Sequence, residues 1–272
     1  MNMKQLPKCS LFILIFVLLA GLSAWALWGN TALITTHYRV QSQKLPQAFS
    51  GLKIAQVSDL HNAQFGTDNQ KLLAQLKDAQ PDLIAITGDL VDSRRTNPEV
   101  AIAFVREAVK IAPTYYIPGN HESRLPDVYA ALKAEFARSG AVILENESIT
   151  FEKDGQTILL TGLMDPDFGV SWPAFSSESY QVVLSHRPEL LEEYSHREFD
   201  LVLTGHAHGG QFRLPFIGGL FAPHQGFLPQ YDSGIHTEGS TTMVVSRGLG
   251  NSLFPLRFNN RPELVIVTLE SV

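Results

Sequence analysis

Five short runs rich in Val, Ile, Leu or aromatic residues each close on a small residue, and an Asp, Asn or His follows. They are Val57-Ser58-Asp59-Leu60-His61, Ile86-Thr87-Gly88-Asp89, Ile117-Pro118-Gly119-Asn120-His121-Glu122, Val183-Leu184-Ser185-His186 and Leu203-Thr204-Gly205-His206-Ala207-His208. Apolar runs of this length read as strands buried on both faces. Ligand groups of α/β proteins collect at strand ends. The pattern therefore asks for an α/β fold that presents Asp and His from several strand ends.

Two Asp, one Asn and four His of this set make a mixed oxygen and nitrogen donor set, and the one cysteine, Cys9, lies far from it in sequence. Imidazole with carboxylate suits Zn, Fe, Mn or Co and argues against Cu(I) or an iron–sulfur cluster. Seven donors exceed one tetrahedral ion. They suit two ions about 3.5–4 Å apart that share a bridging carboxylate.

The series Asp59-x-His61, Gly88-Asp89-x-x-Asp92, Gly119-Asn120-His121-Glu122, His186 and Gly205-His206-x-His208 resembles the calcineurin-like metallophosphoesterase family, over roughly residues 50 to 270. Within it, Gly205 to Pro223 and the tail from Ser246 to Asn259 resemble the membrane-associated bacterial branch. That branch includes general phosphodiesterases and hydrolases of UDP-2,3-diacylglucosamine. The resemblance implies two mixed β-sheets packed as a sandwich with flanking helices; periodicity alone gives only α/β. It implies Asp59, His61, Asp89 and His208 as ligands of one divalent ion, and Asp89, Asn120, His186 and His206 as ligands of the other. Manganese is the preferred ion, and Fe, Zn or Mg also tolerate such a set. Asn120 supplies a carbonyl without charge, which keeps the pair of ions electrophilic enough to draw in phosphate and to depress the pKa of a shared water.

The resemblance makes His121 and Asp92 the catalytic pair, with Asp92 hydrogen-bonded to His121 and favouring its cation. Glu122 is open to a capping role or a direct one. Ser93-Arg94-Arg95 stands where protein phosphatases of the family have Arg-Gly after the Asp, which counts against phosphoprotein substrates. His37, His196, His224 and His236 lie outside the motifs and read as ordinary loop histidines, His224 being the one nearest the last ligands.

Residues 11–28 form an apolar run of ~27 Å as a helix, close to the ~30 Å hydrocarbon core of a bilayer. Lys4 and Lys8 precede it, and Trp25 and Trp28 sit at its far end. An uncleaved anchor over 1–30 competes with a signal peptide cut near Ala24-Trp25-Ala26, and the length of the run past that site favours the anchor. The expected location is the bacterial inner membrane. A slight N-terminal excess of Lys and Arg places the domain outside the cytoplasm, whereas a UDP-linked substrate places it inside.

The chain carries a net charge of −6, and Lys4 and Lys8 are the only charges before residue 31, so the rest carries −8. An acidic domain argues against nucleic acid as a partner. Residues 31–50 read as a polar linker and 51–272 as one domain. Strands and helices alternate through the first half, with helices from Thr67 or Asp68 to about Gln80, from Pro98 to about Ile111 and from Pro126 to Ser139. The second half opens on a hairpin around Lys153-Asp154-Gly155.

The loop from Phe212 to Leu228 is apolar and free of carboxylates. It reads as a buried lid or as a surface for acyl chains or a bilayer. The expected function is a two-metal phosphoester hydrolase, acting on a phosphodiester or pyrophosphate bond of a lipid-linked substrate such as UDP-2,3-diacylglucosamine. The alternatives are a general or exported phosphodiesterase without lipid specificity and a non-catalytic phosphate-binding scaffold.

Overall fold

The computed structural model describes residues 8–175, 178–252 and 254–272, and Lys4 of the expected anchor lies outside them. Helix α1 (Lys8–Thr31) is apolar on all sides, and its side chains from Leu11 to Trp25 are exposed. Strand β1 (Ile34–Ser42) follows at once, then β2 (Lys53–Val57), α2 (Gln70–Ala79), β3 (Leu83–Thr87), α3 (Pro98–Ala108), β4 (Thr114–Ile117), the single turn α4 (Asn120–Ser123), α5 (Pro126–Ser139) and β5 (Val142–Ile143). A hairpin of β6 (Glu147–Lys153) and β7 (Gln156–Gly162) leads to β8 (Gln181–Leu184), α6 (Leu191–His196) and β9 (Leu201–Thr204). Two small hairpins come next, β10 (Arg213–Leu214) with β11 (Gly218–Gly219) and β12 (Phe221–Ala222) with β13 (Gly226–Phe227). The chain ends with β14 (Gly234–Glu238), β15 (Thr241–Val245) and β16 (Glu263–Ser271).

The long strands form two six-stranded mixed sheets, ordered β1-β16-β2-β3-β4-β5 and β14-β15-β9-β8-β7-β6. Along β3, Leu83 and Ala85 face the second sheet, where Leu184, Leu201, Leu203 and Val244 meet them. Ile84 and Ile86 face the other way, onto Leu72 and Leu76 of α2 and Phe104 and Val105 of α3. In the second sheet Val183, Val202 and Met243 pack under Leu191 and Tyr194 of α6. Both faces of the central strands are thus covered, which is why they read as continuous apolar runs. The expected sandwich with flanking helices is what forms.

The expected linker is the main departure. Ile34 through Ser42 pair in parallel with Glu263 through Ser271, so β1 is an edge strand of the first sheet. An edge strand is wet on one side and tolerates polar residues, so no clean alternation announces it, and its partner lies more than 200 residues away. A smaller correction concerns α2. Neither Thr67 nor Asp68 caps it; Asn69 precedes Gln70, and its side chain accepts the Phe65 N–H at 2.9 Å instead.

Candidate metal centre

Strands β2, β3, β4, β8 and β9 all stop at the same edge of the sandwich, and the residues that follow them meet there. Asp59 Oδ1 lies 3.7 Å from His61 Nε2 and 3.5 Å from His208 Nε2. The two imidazole nitrogens are 3.2 Å apart, and Asp89 Oδ2 is 3.6 Å from His61 Nε2. On the other side of that oxygen, His186 Nε2 is 3.2 Å from Asp89 Oδ2, 3.2 Å from Asn120 Oδ1 and 3.2 Å from His206 Nδ1. Two donors on one ion at ~2.1 Å and a tetrahedral angle stand roughly 3.4 Å apart. All seven expected donors are therefore gathered into two overlapping groups, and Asp89 Oδ2 belongs to both.

Backbone geometry has been bent to achieve this. Asp59, His61, Asp89, His206 and His208 all hold positive φ, between 44° and 64°. Non-glycine residues avoid this region, and clusters of such strain mark functional sites. Small residues permit the approach. A Cβ on Gly205 would lie 1.9 Å from Ser58 Oγ, and one on Gly88 2.7 Å from the backbone of Gly119.

Hydrogen bonds hold each carboxylate while one oxygen of each faces the imidazoles. Asp59 Oδ2 accepts from Ser58 Oγ at 2.6 Å, and the His206 N–H is shared between Oδ2 at 3.1 Å and Oδ1 at 3.2 Å. Asp89 Oδ1 accepts the His121 N–H at 2.8 Å. His186 donates Nδ1–H to the Thr87 carbonyl at 2.7 Å, which turns its Nε2 lone pair to the centre. Such outer contacts fix ligand orientation in metal sites.

Glu122 is not a donor to this centre. Its carboxylate, wholly buried, accepts four backbone N–H groups, from Gly119 and Asp89 on one oxygen and from Leu90 and Val91 on the other. It ties the turn after β3 to the turn after β4. Burial pushes its carboxyl up to about 7, and those N–H groups oppose the shift.

Electrostatics calls for positive charge here. Burial disfavours the Asp59 and Asp89 carboxylates, yet the surrounding imidazoles, His208 and His186 foremost, hold both below the usual range. Burial lowers His186, and Asp89 overrides it, pulling the ring up to about 10. His206 and His208 are lowered by burial, the latter to about 3, and so offer neutral lone pairs.

The amide of Asn120 lies against the second group of donors. Its Oδ1 faces His186 Nε2 at 3.2 Å, His206 Nδ1 at 2.9 Å and Asp89 Oδ2 at 3.3 Å, while its Nδ2 faces the Arg124 guanidinium. A protonated His186 donates to that Oδ1, and turning the amide over satisfies the other contacts, so the test of fit is the donor set itself: Asp59, His61 and His208 on one side, and Asp89, His186 and His206 on the other, each bring ligand atoms within 4.8 Å of one another. The buried donor set fits a divalent ion on each side of Asp89.

The catalytic pair is arranged differently from the expectation. Asp92 does not hydrogen-bond His121; its Oδ1 accepts from the N–H groups of Arg94 and Arg95. His121 Nδ1 accepts the Ser93 N–H at 2.9 Å, and its Nε2 is 3.1 Å from Ser252 Oγ. The ring proton therefore belongs on Nε2. Burial lowers the imidazole to about 4, so His121 is neutral at neutral pH. The reason is local: the turn Asp92-Ser93-Arg94 uses the carboxylate to satisfy its own N–H groups.

Three residues near the centre escaped the sequence reading. His224 Nδ1 is 2.8 Å from His206 Nε2, so it is not an ordinary loop histidine. Arg187 is buried, paired through two nitrogens with Asp165 at 2.5 and 2.8 Å, and its Nη1 reaches His224 Nδ1 at 2.7 Å. Asp165 carried a readable signal, since Leu159-Leu160-Thr161-Gly162 is a sixth apolar run closing on a small residue, with an Asp soon after. Arg94, Arg124, His121, His224 and Ser252 rim a cavity of about 120 Å³ above the donors.

A family model described as calcineurin-like phosphoesterase matches residues 52–210. YkuE of Bacillus subtilis, named as an uncharacterized metallophosphoesterase, is 32% identical over 247 residues, covering 87% of this chain and 85% of its own. YaeI of Escherichia coli, named as a phosphodiesterase, is 31% identical over 228 residues, 80% of this chain and 82% of its own. Among solved structures, TT1561 of Thermus thermophilus aligns over 74% of this chain and 91% of its own, at 14% identity and a TM-score of 0.46.

Proposed function

This chain belongs to the calcineurin-like phosphoesterase family and is a metal-dependent phosphoester hydrolase, and we propose that it cleaves phosphodiesters at a centre for two divalent ions. Asp59, His61, Asp89 and His208 would hold one ion, and Asp89, Asn120, His186 and His206 the other. When bound, such a pair neutralises phosphate charge and brings the pKa of a water between them into the neutral range. The observation that carries the reading is the convergence of Asp59, His61 and His208, and of Asp89, His186 and His206, into two buried groups whose ligand atoms lie within 4.8 Å of one another.

The side chains around the donors then have separate tasks. Arg94 and Arg124 at the cavity mouth attract a phosphate and pair with its non-bridging oxygens. His121, neutral and with its proton on Nε2, donates a hydrogen bond to a phosphoryl or leaving-group oxygen and does not act as an imidazolium acid. Arg187, fixed by Asp165, reaches His206 Nε2 at 3.3 Å and His224 Nδ1 at 2.7 Å and orients both rings. Glu122 sets the spacing of Asp89 and Asn120.

A cavity of about 120 Å³ suits a phosphoryl group and its nearest substituents, not acyl chains. The name of the Escherichia coli relative supports the same broad reading. The narrower substrate, a lipid-linked diphosphate such as UDP-2,3-diacylglucosamine, has one supporting observation. Phe216, Ile217, Phe227 and Leu228 on the loop beyond the centre are exposed.

The test uses full-length protein in detergent, supplied in turn with Mn²⁺, Zn²⁺, Fe²⁺ and Mg²⁺. An aryl phosphodiester and UDP-2,3-diacylglucosamine are offered in parallel. Turnover of the aryl diester that chelator and Asn120→Ala both abolish is the expected result, with Mn²⁺ the ion we propose. Two bound ions per chain without turnover of any ester would replace the enzyme with a phosphate-binding protein. UMP released from the lipid at a higher kcat/KM than the aryl product would establish the narrower substrate.

A further inference from the structure

Helix α1 does not end in free space. Asn30 Oδ1 accepts the Arg257 N–H at 2.9 Å and an amide N–H of Asn251 at 2.8 Å, and the Arg261 guanidinium lies 4.7 Å from the centre of the Trp28 ring. Further up the helix, Leu19, Leu22, Ala26 and Leu27 share an apolar groove of about 530 Å³ with Phe212, Leu256 and Phe258. Leu19 is nine residues before Trp28, or ~13 Å along the helix axis. If Trp25 and Trp28 mark the membrane interface, where indoles settle, this groove runs into the acyl layer. The side chains from the domain that line it run with it.

Those side chains continue into a larger exposed rim. Phe212 contacts the Phe254 ring at 6.1 Å and bridges to Phe258, and from it the hairpins carry Phe216, Ile217, Phe227 and Leu228 outward. Phe227 is 84% exposed and Ile217 60%. Phe216 and Leu228 hold φ of +68° and +53°, conformations costly for bulky residues, so the turns expose these side chains at the expense of backbone strain. Exposed apolar residues gathered on one side of a domain mark an interaction surface. The carboxylate against these hairpins, Asp232, is paired with Arg213 at 2.9 Å and accepts the Gly219 N–H at 2.6 Å, so it presents no free charge to the rim.

We propose that this rim is a membrane-contacting surface: Ile217, Phe227, Phe254, Leu256 and Phe258 enter the interfacial layer of the leaflet from which α1 emerges. The occupant is the bilayer itself, because the rim is continuous with an apolar helix long enough to cross one. The contact reaches the chemistry through the same segment. Ser252 Oγ is 3.1 Å from His121 Nε2, and Arg257 Nη2 is 3.4 Å from His208 Nδ1 and donates to the Gly250 carbonyl at 2.5 Å. The mouth of the centre thus rests at the headgroup plane, where phosphodiesters of lipids are presented. The inference rests on retention of α1 and not on the reaction proposed above.

The test needs no turnover. Full-length protein with Cys9→Ser is given single cysteines by Ile217→Cys, Phe227→Cys or Leu256→Cys, nitroxide-labelled, and reconstituted in nanodiscs of phosphatidylcholine and phosphatidylglycerol. Lys153→Cys, at the hairpin turn between β6 and β7, is the aqueous control. At the three rim positions the ratio of collisions with oxygen to collisions with an aqueous nickel chelate should exceed that at Lys153 at least fivefold. Rim labels with the ratio of the control would overturn the proposal, and so would a membrane-extracted chain whose mass shows that Leu11–Thr31 has been removed. Ile217→Asp with Phe227→Asp gives a second reading free of labels: tryptophan quenching of Trp28 by brominated lipid should fall if the rim helps seat the helix, and unchanged quenching counts against it.

Discussion

Glu122→Gln isolates the part of the centre that depends on one buried carboxylate. Oε2 of Glu122 accepts the N–H groups of Gly119 and Asp89, both at 2.9 Å, and Oε1 accepts those of Leu90 and Val91 at 2.8 and 3.3 Å. Glutamine is isosteric, but whichever way its amide turns, an NH₂ faces two backbone N–H donors. Two buried donors then lose their acceptor. Each costs ~1–3 kcal/mol when left unmade, so about 3 kcal/mol is expected in all, a little relieved by relaxation. At 2–4 °C per kcal/mol for a domain of this size, Tm should fall by roughly 6–12 °C. The turns after β3 and β4 also lose their common tie, so Asp89 and Asn120 drift apart. Binding of the second ion should weaken by at least tenfold, with kcat falling in parallel. Thermal unfolding followed by circular dichroism in detergent, and titration calorimetry with Mn²⁺, measure the two effects. A variant within 2 °C of the parent and with the same ion affinity would refute the clamp. Glu122→Asp separates charge from length: it keeps the acceptors but cannot reach all four donors, and should fall between the two.

Other outcomes follow from the same geometry. Gly88→Ala should abolish activity by at least a hundredfold or prevent folding, because its Cβ would lie 2.7 Å from the Gly119 backbone and φ is +93°; kinetics on the purified variant checks it. Asn120→Ala should keep its fold and lower the metal content from two ions per chain toward one, read by elemental analysis. Ion binding at pH 7 should release protons, since Asp89, working against burial, holds His186 up at about 10 and Asp59, likewise, holds His61 above its ordinary value. His186 is protonated below its value and must be neutral to ligate, and the upward shift of His61 acts in the same direction, so affinity rises with pH. Calorimetry in buffers of different ionisation enthalpy should show net proton release that His186→Ala reduces. Saturation with ions at a hundred times Kd should add about 2.7 kcal/mol per site to stability, and chelator should reverse it. Asp165→Asn should leave the ion content unchanged yet lower kcat, because Arg187 loses the carboxylate that fixes it; an unchanged kcat would remove Arg187 from the machinery.

Some of this molecule was decided by short stretches of sequence alone. The apolar runs at Leu83–Thr87, Thr114–Ile117 and Leu201–Thr204 announced buried strands, and the closing Gly140 announced the end of α5. Residue types fixed the donor chemistry, since Asp, Asn and His behave as ligands wherever they meet. Long-range geometry was not legible. Strand β1 reads as linker because its stability comes from β16, at the other end of the chain, and from a wet edge that imposes no alternation. Asp92 lost its expected partner because a neighbouring turn claimed its oxygens first. His224 reached the centre through a loop whose path depends on what it packs against, and Arg187 became a buried guanidinium only because Asp165 arrived from the segment after β7. Composition and local spacing determine which groups exist and which segments hide from water. Only the tertiary fold decides which groups meet, because convergence within 3–4 Å of residues up to 149 apart, from Asp59 to His208, is a property of packed sheets and not of any stretch of chain.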